Sequence, residues 1–145
     1  MSRIVRQLAA LLIVLAPLLP TIANADDLSA ADRAAMQSVI SSQIGAFQHD
    51  DGSTAYGFAS PNIQTYYPTA ELFMAMVKNG YPAIYRPQSV TFGEAEDTDA
   101  GPVQKVFIKG SDGQAYIALY AFQRQPDGTW KINGVTVLKD DSPSI

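Results

Sequence analysis

Four tyrosines, an arginine, a glutamate and the chain's only histidine are the residues whose side chains a pocket could use: Tyr66, Tyr67, Tyr81, Tyr85, Arg86, Glu71 and His49. The tyrosines fall in two irregular segments punctuated by Pro68, Pro82 and Pro87, either side of one helical stretch. A tyrosine offers an apolar ring with a polar tip, which suits the wall of a small-molecule pocket. Arg86 follows Tyr85 directly, and its planar fork could hold a carboxylate. Glu71 and Glu94 are the only carboxylates on predicted elements beyond the first helix. We therefore expect Tyr66, Tyr67, Tyr81, Tyr85, Arg86 and Glu71 to form the rim of a ligand site.

Two chemistries compete for that rim. One is proton transfer of the isomerase or hydratase kind, by a rim tyrosine with a carboxylate or His49. The other is binding without turnover. A tyrosine near its ordinary pKa of ~10 is a poor base unless a cation sits beside it, and Arg86 is the only nearby candidate. The remaining carboxylates fall mostly in turns, loops and termini, and none interrupts the apolar run 115–122. Each residue also has a plainer reading. The tyrosines suit ordinary packing, Arg86 a surface hydrogen bond and Glu71 a solvated helix face. His49, beside Asp50 and Asp51, suits a solvated helix end. Binding of a small apolar molecule or a partner protein is the favoured reading. A proton-transfer enzyme and a ligand-free structural homodimer are the alternatives.

Composition narrows the classes. With no cysteine there is no disulfide framework, thiolate nucleophile or thiolate metal site. One histidine cannot build a histidine-rich metal site. The motifs Asp50-Asp51-Gly52, Ser111-Asp112-Gly113 and Asp127-Gly128 lack the alternating oxygen ligands and terminal glutamate of a calcium loop, and turn chemistry accounts for them. Neither a metal nor a cofactor is expected.

The first residues read as a leader. Arg3 and Arg6 precede an apolar run at 8–19, and Ala23-Asn24-Ala25 fits a small-x-small cleavage site. Residues 1–25 are predicted to be a signal peptide, leaving 26–145 as a single exported domain, periplasmic or secreted. No cysteine follows the run, so no lipid tether is expected. Losing Arg3 and Arg6 leaves eight basic residues against fourteen acidic ones, a net charge of −6. That balance argues against nucleic acid and against docking on an anionic membrane.

The elements that must position the rim follow from periodicity. Ser29-Ala30-Ala31-Asp32 resembles a capping box, and Met36, Ile40, Ile44 and Phe47 then recur at helical spacing. Residues 53–59 suggest a short second helix, and Ser60-Pro61 a further turn. Thr69 caps a third helix at 70–79 with the stripe Leu72, Phe73, Met76 and Val77, and Gly80 stops it. Residues 81–87 are expected to be extended, because each proline pushes its predecessor from the α region. Strands are predicted at 88–94, 102–109, 114–124 and 129–139. Strand 114–124 is apolar on both faces, which places it centrally in a sheet covered on both sides. The turn 125–128, Gln-Pro-Asp-Gly, closes it onto the last strand. Helices before strands imply α+β, with three helices on one face of a four-stranded antiparallel meander. Met36, Ile40, Ile44, Phe47, Leu72, Phe73, Met76, Val77, Ile117 and Leu119 are expected to face the interior. Tyr116, Tyr120 and Phe122 then form an outer face too apolar to leave wet, for which a homodimer is expected.

This element order resembles the cone-shaped fold of nuclear transport factor two, ketosteroid isomerase and their cystatin-like relatives. More specific are Ala46-Phe47 with Asp50-Asp51, the run 58–64 (Phe-Ala-Ser-Pro-Asn-Ile-Gln), the run 76–82 (Met-Val-Lys-Asn-Gly-Tyr-Pro) and Tyr85-Arg86-Pro87. With the closing segments 125–130 and 132–135, they resemble a bacterial exported family, domain of unknown function 4864. The resemblance implies a curved sheet around a helical layer, often with a pocket between. It implies no activity, and the isomerase's acid and base match no position here.

Overall fold

The computed structural model describes residues 28–142. The predicted signal peptide and its cleavage site lie outside them. The architecture is α+β: five helices, then a four-stranded antiparallel sheet in the order β1-β2-β3-β4.

Helix α1 (Ala30–Gln48) begins where expected. Ser29 Oγ accepts from the Asp32 amide at 3.0 Å, and the Asp32 carboxylate accepts from the Ser29 amide, closing a capping box. Its buried stripe is Met36, Ile40, Ile44 and Phe47, joined by Gln43 and Ala46. α2 (Gly52–Gly57) is capped by Asp51 and α3 (Pro61–Tyr66) by Ser60. α4 (Ala70–Gly80) is capped by Thr69. On α4 the inward residues are Phe73 and Val77, while Leu72 is 54% exposed. Adjacent helical residues are about 100° apart, so Leu72 and Phe73 cannot both centre one narrow stripe.

Segment 81–87 departs from the expected extended chain. Pro82–Tyr85 forms a one-turn helix, α5, with Pro82 at its first position. There a missing N–H costs nothing and the fixed φ suits the helix. The restriction on residues preceding proline survives only at Tyr81 (φ −134°, ψ 51°) and Arg86 (φ −140°, ψ 65°). The predicted Ser60-Pro61 turn is likewise a full helix, so three expected helices are five.

The strands are β1 (Ser89–Thr98), β2 (Gly101–Lys109), β3 (Ala115–Arg124) and β4 (Trp130–Lys139). β3 is interior, between β2 and β4. Its pairing with β4 shifts between Ala121 and Phe122: Ala121 faces Gly134, but Phe122 faces Ile132. Asn133 is the extra residue of a bulge. Residues 58–60 add a short parallel bridge to the outer side of β4. The Ser60 amide donates to Ile132 O at 2.8 Å and the Ile132 amide to Phe58 O at 2.9 Å. Beyond Ile132 that edge is left to the helical layer and the space beneath it.

The two faces of the sheet are reversed from expectation. Ala118, Tyr120 and Phe122 are 0%, 0% and 2% exposed and join the core with Met36, Ile40 and Phe47. Val106, Ile108 and Ile132 lie on the same side by register. Ile117 and Leu119, expected inside, lie with Ala121 on the opposite face, beside Phe107 and Leu138, which are 41% and 51% exposed. A homodimer built on Tyr116, Tyr120 and Phe122 is therefore overturned in its residues. A strand apolar on both faces has no alternation to reveal which face is covered, and the amphipathic neighbours β2 and β4 decide it.

Gln104, 0% exposed, holds the irregularity of β1 in place. Its Nε2 donates to Gly93 O at 2.9 Å and Lys105 O at 2.8 Å. Gly93 is required there for space: a Cβ would sit 2.8 Å from the Phe107 ring, which lies across it on the open face.

Candidate functional site

A cavity of about 340 Å³ lies between the helices and the free edge of β4. Its volume is at the small end for pockets that hold organic ligands, ~300–1,000 Å³. The helical wall comes from Gln43 and Phe47 of α1, Ile63 of α3, Phe73, Met76 and Val77 of α4, and Ile84 of α5, with Ala59, Tyr67 and Tyr81 from the connections. The sheet wall is Ile132, Gly134, Val135 and Thr136 of β4, with Leu119 and Ala121 of β3. Both alternation sets of β4 take part, so the cavity runs along the strand's edge and reaches past Gly134.

The local sequence explains this opening. The bulge at Asn133 turns β4 away from the 58–60 segment that pairs with its first residues. Ser60, 0% exposed, fixes the corner: its Oγ donates to Asn133 Oδ1 at 2.7 Å and accepts from the Ile63 amide at 3.3 Å. Gly134 follows, and a Cβ there would meet nothing within 4 Å. The roof is held by aromatic contacts, with ring centroids of Phe47 and Phe73 at 6.3 Å and of Tyr56 and Phe73 at 5.5 Å. The Tyr56 hydroxyl donates to the Tyr67 carbonyl, tying α2 to the end of α3.

No lining residue carries a charge; the polar ones are Gln43, Tyr67, Tyr81 and Thr136. Gln43 is 3% exposed, and its Nε2 donates to the Ala55 carbonyl at 3.1 Å. Among the described residues the other buried polar side chains are Ser60 and Gln104. Tyr120 is also sealed, and burial pushes its phenol well above the ordinary value. No cluster of three His, Asp or Glu able to hold a metal occurs among the described residues.

The six expected rim residues divide. Tyr67 and Tyr81 line the cavity. Tyr66 is 78% exposed, and Glu71 is exposed on α4. Tyr85 and Arg86 belong to a separate cluster at the end of α1. The buried Tyr85 ring lies 5.8 Å from Phe47 and donates its hydroxyl to Asp50 Oδ1. Arg86 stacks at 4.3 Å on the Tyr85 ring, donates to Asp50 Oδ1 at 2.9 Å, and also reaches the Phe47 and Tyr85 carbonyls. The Tyr85 hydroxyl and the Arg86 guanidinium hold the Asp50 carboxyl below its ordinary pKa. Asp50 itself sits in the left-handed region at φ 52°, which Asp tolerates better than most residues. Arg86 thus spends its fork on the protein. His49 is exposed, with Nδ1 2.8 Å from the Gly45 carbonyl.

Sequence reasoning missed Gln43 and the β4 edge. Gln43 had a signal: it stands three residues after Ile40 and four before Phe47, a polar residue on an apolar stripe. Gly134 and Thr136 had none, since only the bulge and the 58–60 bridge make that edge a wall.

Residues 29–145 match the family described as domain of unknown function DUF4864. The chain belongs to this family. Membership covers all of the described fold from the first cap onward and names no activity. No curated protein matches the chain. No helix among the described residues is long and apolar enough to cross a membrane.

Proposed function

We propose that this DUF4864 domain is a non-catalytic binding module that takes a small, neutral, largely apolar molecule into the cavity beside β4. The observation that carries this is the uncharged wall of a 340 Å³ cavity. Eleven of its sixteen residues are Phe, Ile, Leu, Met, Val or Ala. A general acid or base must come within hydrogen-bond reach of the reacting atoms, and this wall supplies amide, hydroxyl and phenol groups alone. Tyr67 and Tyr81 act as amphipathic wall residues in this reading. The cone-shaped fold is part of the same proposal, supported by the helices-then-meander order and by a cavity between the two layers. So is export through the leader 1–25.

The test is a fluorescence titration with N-phenyl-1-naphthylamine, a neutral probe that brightens in apolar surroundings. Saturable one-site binding is expected for the unaltered protein. Gly134→Leu fills the cavity from a position with room for a side chain, and it should abolish that signal while leaving the thermal unfolding midpoint nearly unchanged. Equal titration curves for both proteins would end the proposal.

A second copy of the chain is the partner proposed for the open face of the sheet. The observation favouring it is the exposed pair Phe107 and Leu138. Glu96 of β1 and Lys105 of β2 share that face by register with Val103 and Leu119, so a two-fold pairing can set opposite charges against each other. Sedimentation should give a dimer that Phe107→Glu dissociates; a monomer at high concentration for the unaltered protein would overturn this.

A further inference from the structure

We infer that the ligand of the cavity carries a hydrogen-bond donor, an alcohol, phenol or N–H, and that Gln43 Oε1 is the acceptor that selects it. This rests on the binding reading above and adds to it the chemical class of the ligand. A glutamine amide has two donors and an acceptor that can be exchanged by turning the group over. Here the Ala55 carbonyl removes that freedom. It accepts from Gln43 Nε2 at 3.1 Å, and the flipped amide would set two carbonyl oxygens against each other. The amide orientation is therefore dictated by a main-chain acceptor, and Oε1 points the other way.

Among the described residues no donor reaches Gln43 Oε1, although the residue is only 3% exposed. The polar side-chain atoms sealed without a partner are Gln104 Oε1 and Tyr120 Oη. Gln43 Oε1 is not among them, and its residue lines the cavity. A buried carbonyl without a partner costs free energy, and here a ligand or a water can supply one. The hydroxyls of Tyr67, Tyr81 and Thr136 can each donate or accept, whereas Gln43 Oε1 can only accept, so an uncharged wall holding this fixed acceptor favours a neutral donor. A carboxylate would face Oε1 with like polarity and find no cation, and an ammonium would find no counter-ion. Such a site rejects the analogue lacking the donor more strongly than it senses one methylene.

The experiment uses matched probes on the full mature protein: 2-naphthol, which can donate, and 2-methoxynaphthalene, which cannot. Dissociation constants are taken by calorimetry for the unaltered protein, for Gln43→Met, which keeps length and removes the acceptor, and for Gly134→Leu. The naphthol is expected to bind the unaltered protein about tenfold more tightly than its methyl ether, though the ether is the more apolar of the two. Gln43→Met should bring the two within about twofold, and Gly134→Leu should lose both. If the two probes bind the unaltered protein alike, the inference fails while the binding reading stands. If the tenfold preference persists in Gln43→Met, the acceptor lies elsewhere and the inference also fails. Absence of binding by both probes ends the binding reading and the inference with it. The comparison on the unaltered protein needs no variant to fold.

Discussion

The two faces of β3 contain nearly the same chemistry and live in different surroundings. One carries Ala118, Tyr120 and Phe122, the other Ile117, Leu119 and Ala121. The first set is sealed under α1 and the neighbouring helices; the second is half open, beside the exposed Phe107 and Leu138. Hydrophobicity alone does not rank them, and the second set is if anything the more aliphatic. The difference teaches that a central strand takes its inside from its neighbours. On β2, Gln104, Val106 and Ile108 alternate with Lys105, Phe107 and Lys109. On β4, the bulge returns Val135 and Val137 to the side of Ile132. Only the face shared with these sets can close against the helices.

This contrast breaks most easily in a pair of truncations. Phe122→Ala empties the sealed face and should cost about 3–5 kcal/mol. Leu138→Ala on the open face should cost less than about 1 kcal/mol, because little apolar area leaves water there. Urea midpoints for the two variants measure it, and similar values would mean that the open face is covered in solution.

A smaller loss is expected from Gln104→Ala. It removes a sealed amide and leaves the Gly93 and Lys105 carbonyls short of a donor, which should cost about 1–3 kcal/mol. Hydrogen exchange would show the loss first at the irregular part of β1. A loss spread evenly over the sheet would mean that Gln104 acts by packing alone.

Tyr120→Phe sharpens the comparison from the opposite direction. The hydroxyl is sealed and unpartnered, so removing it should change stability by no more than about 1 kcal/mol and in the favourable sense. A clear destabilisation in thermal unfolding would reveal a partner, such as an internal water.

The smallest effect is expected at the margin of the helical layer. Asp50 has its folded-state pKa lowered, first by Tyr85 and then by Arg86. Its contribution is therefore complete above the unfolded carboxylate value of 3.8 and is lost as pH falls through the lowered folded value. Asp50→Asn suits the same left-handed backbone. It should make the decline of the urea midpoint from about pH 5 downward shallower, without removing it, since Asp32, Asp51 and Asp112 are also lowered. Unchanged acid slopes would remove Asp50 from the account.

Particular residues show how much was legible beforehand. The caps Ser29, Ser60 and Thr69 announce three helix starts, because a short side-chain oxygen before an apolar run satisfies free amides. Pro82 was misread: two prolines around Tyr85 suggested extension, yet a proline serves equally well at a helix's first position. Of the expected rim, Tyr67 and Tyr81 line the cavity because they flank α4, which roofs it. Tyr85 and Arg86 lie away from it because their partner Asp50 is thirty-five and thirty-six residues distant in the chain. No local pattern records such a contact.

What the sequence by itself determined is the α+β order, the caps, the inward stripe of α1, the turn at 125–128 and the absence of thiol chemistry. Each follows from backbone propensity, from periodicity or from composition, and none needs a distant residue. The tertiary structure alone decided which face of β3 is inside, where the bulge leaves an edge of β4 open, and that Gln43 faces a cavity with its donor already engaged. These depend on register and on contacts between residues far apart in the chain. They are settled only when the sheet, twisted and bulged, closes on the helices and leaves unfilled what the side chains cannot reach.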